Sequence, residues 1–180
     1  MDTIRIRLDP DYFPLISGMK LIYNHTSTEF EGVESVEVLF QDVRAFRDDS
    51  TARVSLTRTR KGQPHAETYQ VRKSAKEVST ENGPIGWGRR EYPIPAVPGK
   101  EWIEEPDRHV VASLDEAVEV PAGKFMRCLR VNTFIAGGDG GSAIRYYAPG
   151  VGYVYEEYSS ETSGSRVALA SFQMPKFVRL

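Results

Sequence analysis

Little in this chain invites disulfide, metal or membrane chemistry. Cys128 is the single cysteine in 180 residues, which excludes an internal disulfide and suits either the cytosol or an exported protein that never needed bridges. No stretch approaches the ~18 apolar residues of a membrane-spanning helix, and Met1 to Pro10 lacks the apolar centre of a secretory signal. The expectation is a soluble protein, cytoplasmic as written, or of the cell envelope or periplasm if a signal peptide has been removed. Charge of one sign is missing too. Twenty-three Lys and Arg against 25 Asp and Glu leave a formal net charge of -2, with no global field to attract nucleic acid or an anionic membrane. No segment sustains an i, i+3, i+4, i+7 pattern with caps, so a long helix is not expected.

The motifs of catalysis and cofactor binding are equally scarce. His25, His65 and His109 fall in separate strand regions without paired ligand spacing, and read as residues of solvated faces rather than metal ligands. Asp107, His109 and Ser113 suggest a triad, but residues four apart on an extended strand stand ~13 Å from each other, beyond the reach of a base that must activate a hydroxyl. There is no Gly-x-Ser-x-Gly elbow. Gly137 to Ser142 is glycine-rich, yet no lysine follows and the chain continues as strand, so it reads as a hairpin tip and not a phosphate cradle. Glu156 and Glu157 point to opposite faces of a strand and cannot act as a pair. Cys128 reads as a buried small hydrophobe. The basic run from Arg53 through Arg58, Arg60, Lys61, His65 and Arg72 to Lys73 reads as a hairpin face paired with Glu29, Glu31, Glu34 and Glu37. No catalytic residue, metal site or cofactor is assigned.

Turn chemistry is what the chain does have. Val120-Pro121-Ala122-Gly123-Lys124-Phe125 and Tyr147-Ala148-Pro149-Gly150-Val151-Gly152 place tight turns between runs of alternating apolar and polar residues, the mark of antiparallel sheet. Earlier runs over Met19–Phe30 and Val33–Phe46, a third around Val54 and Leu56 with their Thr and Arg neighbours, and a fourth over Ala66–Val71 are separated by Arg47-Asp48-Asp49-Ser50 and Lys61-Gly62-Gln63-Pro64. A helical reading through Leu39, Val43 and Phe46 stays open. Between Asn82 and Pro98 the chain is broken, and Pro93, Pro95 and Pro98 forbid a central strand. Five more strands follow between Val110 and Phe172. Tyr12-Phe13-Pro14-Leu15 looks like an apolar plug. The predicted fold is all-β: one domain over residues 1–180, a single strongly curved antiparallel sheet as half-barrel or open barrel, with little helix.

Aromatic residues supply the functional leads. Trp87 is flanked by glycines that let its loop bend around a partner, and Trp102 stands where a strand resumes after Pro98-Gly99. Both could instead cap the core at the end of a sheet, the reading preferred here. With Tyr92, and with Tyr146 or Tyr147, of which only one can face inward, they could line a site for an apolar small molecule or a polypeptide segment on the concave face. The expected function is a non-enzymatic binding module. The alternatives are an assembly component acting through sheet edges, and an enzyme, which a cluster of ionisable groups in a cleft would favour.

From Asp11 to Tyr158 the order Tyr12-Phe13-Pro14-Leu15, Gly18, Tyr23, Val120-Pro121-Ala122-Gly123-Lys124-Phe125 and Tyr147-Ala148-Pro149-Gly150-Val151-Gly152 resembles an uncharacterised group of bacterial, mostly exported or lipid-anchored all-β proteins. More loosely it is similar to the half-barrels that carry lipoproteins or other apolar cargo. Leu21 stands where the group has tryptophan. The resemblance implies a curved sheet and a possible apolar cargo, and it carries over no catalytic residue.

Overall fold

Period-two alternation along each long strand gives the sheet an inner apolar face and an outer wet one. A computed structural model describes residues 10–176; the Ile4/Ile6/Leu8 alternation lies outside the described residues. Twelve strands form: β1 (Lys20–Ser27), β2 (Phe30–Phe46), β3 (Asp49–Arg60), β4 (Gln63–Lys73), β5 (Glu77–Thr80), β6 (Arg89–Pro93), β7 (Glu101–Glu104), β8 (Asp107–Val120), β9 (Gly123–Ile135), β10 (Gly141–Ala148), β11 (Gly152–Ser159) and β12 (Gly164–Gln173). There is no helix among the described residues, and Leu39, Val43 and Phe46 lie on β2.

All twelve strands belong to one antiparallel sheet in the order β6-β5-β4-β3-β2-β1-β12-β11-β10-β9-β8-β7. Two meanders, β1–β6 and β7–β12, are therefore joined by a central β1–β12 ladder running from Lys20↔Gln173 to Ser27↔Ser165. The sheet curls into a nearly closed barrel with one unsealed seam between its edges, β6 and β7. This is the open-barrel form of the fold expected from sequence.

Gly123 has φ +138°, so the Pro121-Ala122 turn uses the freedom that only glycine supplies without strain. Register shifts between Val111 and Val118 of β8, with Arg127 at φ +54° on β9, bend that long hairpin. The sequence reading missed β5 and β6, four and five residues long, while the four-residue β7 is the strand it expected to resume at Trp102. Pro93 ends edge strand β6, a position where a missing N–H breaks no ladder.

Ahead of β1 the chain plugs one end of the barrel. Tyr12 and Phe13 are buried, Phe13 packs edge-on against Phe40, and Gly150 N–H donates to the Asp11 carbonyl at 2.8 Å. The apolar plug expected from Tyr12-Phe13-Pro14-Leu15 is present. Behind it, Leu21, Val38, Leu56, Leu129, Val154 and Leu169 are among the buried side chains of the core.

Candidate functional site

Away from the plug, the inward residue of strand after strand changes from aliphatic to polar. Glu34 follows the inward phase of Val36 on β2, Arg58 that of Leu56 on β3, and His109 that of Val111 on β8. Arg145 shares the phase of Tyr147 on β10, and Glu156 that of Val154 on β11. The histidines are thus not all on solvated faces: His109 is buried, and His25 bonds Glu34 through Nδ1 at 3.0 Å and Ser165 through Nε2 at 3.0 Å. Arg58 adds a contact to Glu34 at 3.2 Å. Burial pushes the Glu34 carboxyl up, but His25 and Arg58 outweigh it and hold the group below the usual range.

A second network spans the barrel behind the seam. Arg89 donates to both carboxylate oxygens of Glu156, at 2.9 and 2.7 Å, and to Glu91 at 3.1 Å. Glu91 also accepts from Thr80 at 3.0 Å and from the Tyr147 hydroxyl. Arg145, 1% exposed, donates to Tyr147 Oη at 2.8 Å, Thr133 Oγ1 at 2.9 Å and the Glu91 carbonyl at 2.9 Å, with longer contacts to the Arg90 carbonyl and His109 Nδ1. An arginine has five N–H donors and no acceptor, so this one is fully spent. Because Arg145 approaches His109 at Nδ1, that nitrogen accepts and the neutral ring carries its proton on Nε2. Burial, reinforced by Arg145 and Arg89, pushes the His109 value down to about 4. Glu156 stays ionised: burial raises it, and Arg89 more than reverses that.

Side chains also bridge the seam. Glu104 on β7 accepts the Arg90 N–H of β6 at 2.8 Å, while Arg145 takes β6 carbonyls from inside. The other Glu104 oxygen lies 3.5 Å from His109 Nε2. At this end, away from the plug, a cleft of about 130 Å³ is lined by Trp87, Glu104, Asp107, His109, Arg145, Tyr158 and their neighbours. The interior pocket between Phe13, Met19, Leu21, Val38, Phe40 and Tyr69 leaves only about 20 Å³ free. There the chain's own side chains pack much of the concave face on which the sequence reading placed an apolar ligand.

The five aromatic residues singled out from sequence do not form one site. Trp87 is 56% exposed at the open cleft. The glycine after it has a structural reason, since a Cβ on Gly88 would stand 2.4 Å from the Glu81 carbonyl oxygen. Trp102 is buried and stacks on His109 at 5.1 Å. Tyr147 faces inward, bonded to Arg145 and Glu91, and Tyr146 faces outward against Tyr155. Tyr92 is buried between Tyr12 and Tyr147, and borders a separate groove of about 480 Å³ beside the plug with Ile94, Pro95, Ala96, Val97 and Leu114. Sequence reasoning passed over Arg89, Glu91, Glu104 and Arg145. Arg145 and Glu91 did carry a signal, each sharing the phase of a buried neighbour.

This architecture has solved relatives. A protein from Bacteroides fragilis predicted to be exported, described as having a YmcC-like fold, superposes with a TM-score of 0.72 at 16% identity, covering 92% of this chain and 100% of its own. A predicted lipoprotein from Parabacteroides distasonis superposes with a TM-score of 0.65 at 13% identity, covering 91% and 99%. The shared fold is YmcC-like. At such identities the likeness speaks for the fold alone. No family model and no curated protein matches the sequence.

Proposed function

We propose that this chain is a non-enzymatic binding module that takes its ligand at the open end of the barrel. The observation that carries the reading is the cleft beside the seam, with a large aromatic side chain, Trp87, left exposed next to convergent polar groups. Binding sites are concave with a few placed polar groups, and the cleft at the barrel mouth has both features.

The arginines of the ionisable cluster that would favour an enzyme, and the glutamates that face them, are consumed by their own contacts. Arg89 is paired with Glu156 and Glu91, and Arg145 is saturated. Among the described residues His109 Nδ1 meets the polar side chains of Thr133, at 2.8 Å, and Arg145. Such a set holds a barrel together and leaves no activated nucleophile. The sheet-edge assembly reading loses support from the side chains that occupy β6 backbone groups at the seam. A second reading, an apolar small molecule in the Tyr92 groove, is favoured by that groove's volume of about 480 Å³, within the usual ligand range of roughly 300–1,000 Å³.

A fragment screen followed by amide and indole chemical shifts tests both. The expected result is hits that shift the Trp87 indole and residues of the open end. Hits confined to Tyr92 and Ile94 to Val97 would favour the groove, and the absence of hits at either place would overturn the binding reading.

A further inference from the structure

Taking the open end as the binding site, we infer that the chemical group it accepts is an alkylammonium. Three carboxylates, Glu104, Asp107 and Glu156, line the cleft against two guanidiniums, Arg89 and Arg145, and Glu91 stands directly behind them, bonded to Arg89. His109 adds no charge near neutral pH, its value being held at about 4.

What decides the ligand's sign is which groups still have capacity. Both arginines are buried, and their bonds go to Glu156, Glu91, Tyr147, Thr133 and β6 carbonyls. An anion entering the cleft would meet carboxylates and find the guanidinium donors already engaged. Asp107, by contrast, accepts one long bond, from Ala136 N–H at 3.3 Å. Glu104 gives Oε1 to the Arg90 N–H and keeps Oε2 buried 3.5 Å from His109 Nε2, so it adds negative charge without a free oxygen, while the Trp87 ring is open to solvent. A cleft lined by both carboxylates and an exposed indole favours an ammonium, which ion pairing and the ring quadrupole can both attract.

Size narrows the class further. The cleft of about 130 Å³ has room for about four waters at ~30 Å³ each. That volume suits a short alkyl chain ending in nitrogen, and is too small for a nucleotide or a lipid tail. Ile135 and Ala143 supply an apolar wall for the methylenes. The ammonium could arrive on a free amine or on the lysine side chain of a polypeptide, since the recognising chemistry is shared.

Tryptophan emission reports on the site directly, because Trp87 is exposed and Trp102 is 7% exposed. The intact protein is titrated with n-butylammonium, n-butanol and butyrate at matched ionic strength, then with spermidine and the peptide acetyl-Gly-Lys-Gly-amide. Saturable change with butylammonium, absent for butanol and butyrate and weakened at least tenfold by Asp107→Asn at unchanged melting temperature, is the expected result. Asparagine retains an acceptor for the Ala136 N–H, so this variant should fold. Tighter binding of spermidine would identify a free amine as the source, and tighter binding of the peptide a lysine side chain; either supports the inference. Butanol or butyrate binding as well as butylammonium, or Asp107→Asn binding unimpaired, would overturn the ammonium assignment while leaving the open end a binding site. Failure of all five probes to saturate would overturn both.

Discussion

Along β2 the inward residues run Phe40, Val38 and Val36 and then Glu34; on β11 Val154 is followed by Glu156, and on β8 Val111 is preceded by His109. One barrel therefore has two interiors. The plugged half is aliphatic and aromatic, stabilised by removal of apolar area from water, a term that tolerates exchange of one hydrophobe for another of similar volume. The open half is charged, and its stability depends on every partner being present, because a buried polar group left unpaired costs more than a paired one contributes. The plugged half suits a scaffold. The open half is a fixed constellation at a mouth, which suits recognition.

The sharpest way to break this comparison is to remove one member from each half. Arg145→Met should leave Thr133, Tyr147 and two β6 carbonyls without their donor, and cost about 3–5 kcal/mol in urea unfolding. Leu56→Ala, in the aliphatic half, should cost about 3 kcal/mol. If the arginine variant proves the milder of the two, the open half is plastic and the contrast fails.

A smaller effect sharpens the same contrast through pH. The native His109 value of about 4 lies below the ordinary ~6.5 of the unfolded chain, so the unfolded state binds a proton that the native state refuses. The stability this confers is complete above pH ~6.5 and is lost as pH falls toward ~4. The urea midpoint should therefore drop between pH 7 and pH 5 in the parent and stay flatter in His109→Gln. Equal slopes in the two proteins would show that the open half does not hold the ring neutral. The smallest effect belongs to the plugged half, where the turn of β8 and β9 lies. Gly123→Val should cost about 1 kcal/mol, because φ +138° resists a β-branched residue although no atom stands within 4 Å of the added Cβ. A neutral result in thermal melts would mean the turn relaxes freely.

Much of the fold was legible because turn residues punctuate it. Pro121-Ala122-Gly123 and Pro149-Gly150 mark hairpin corners, and the long strands between them alternate cleanly. The strands toward the seam were barely legible: β5 and β6 are too short to show a period in a neighbourhood broken by proline, and β7 showed only as a strand resuming at Trp102. Closure was invisible for another reason, since the seam is bridged by Glu104 and Arg145 side chains and by no ladder. At the candidate site, Trp87 stood out through its flanking glycines. The polar half was hidden because an inward arginine at the end of an apolar alternation looks the same in sequence as a strand emerging into water. Only the register, which sets Arg145 opposite Glu156 and Arg89 within reach of both Glu156 and Glu91, distinguishes the two.

The strand order carries a consequence for how the chain reaches this state. Every ladder joins strands consecutive in sequence except the one between β1 and β12. Each meander can assemble from neighbouring hairpins at little cost in loop entropy, while β1 must wait for β12, synthesised last, before the middle of the sheet exists. Folding speed should thus be governed by a single closure. A circular permutant that links the segment ahead of the plug to the segment after Gln173, keeping Asp11 to Leu15, and opens the chain between Ile94 and Lys100, would make that closure a connection between consecutive strands.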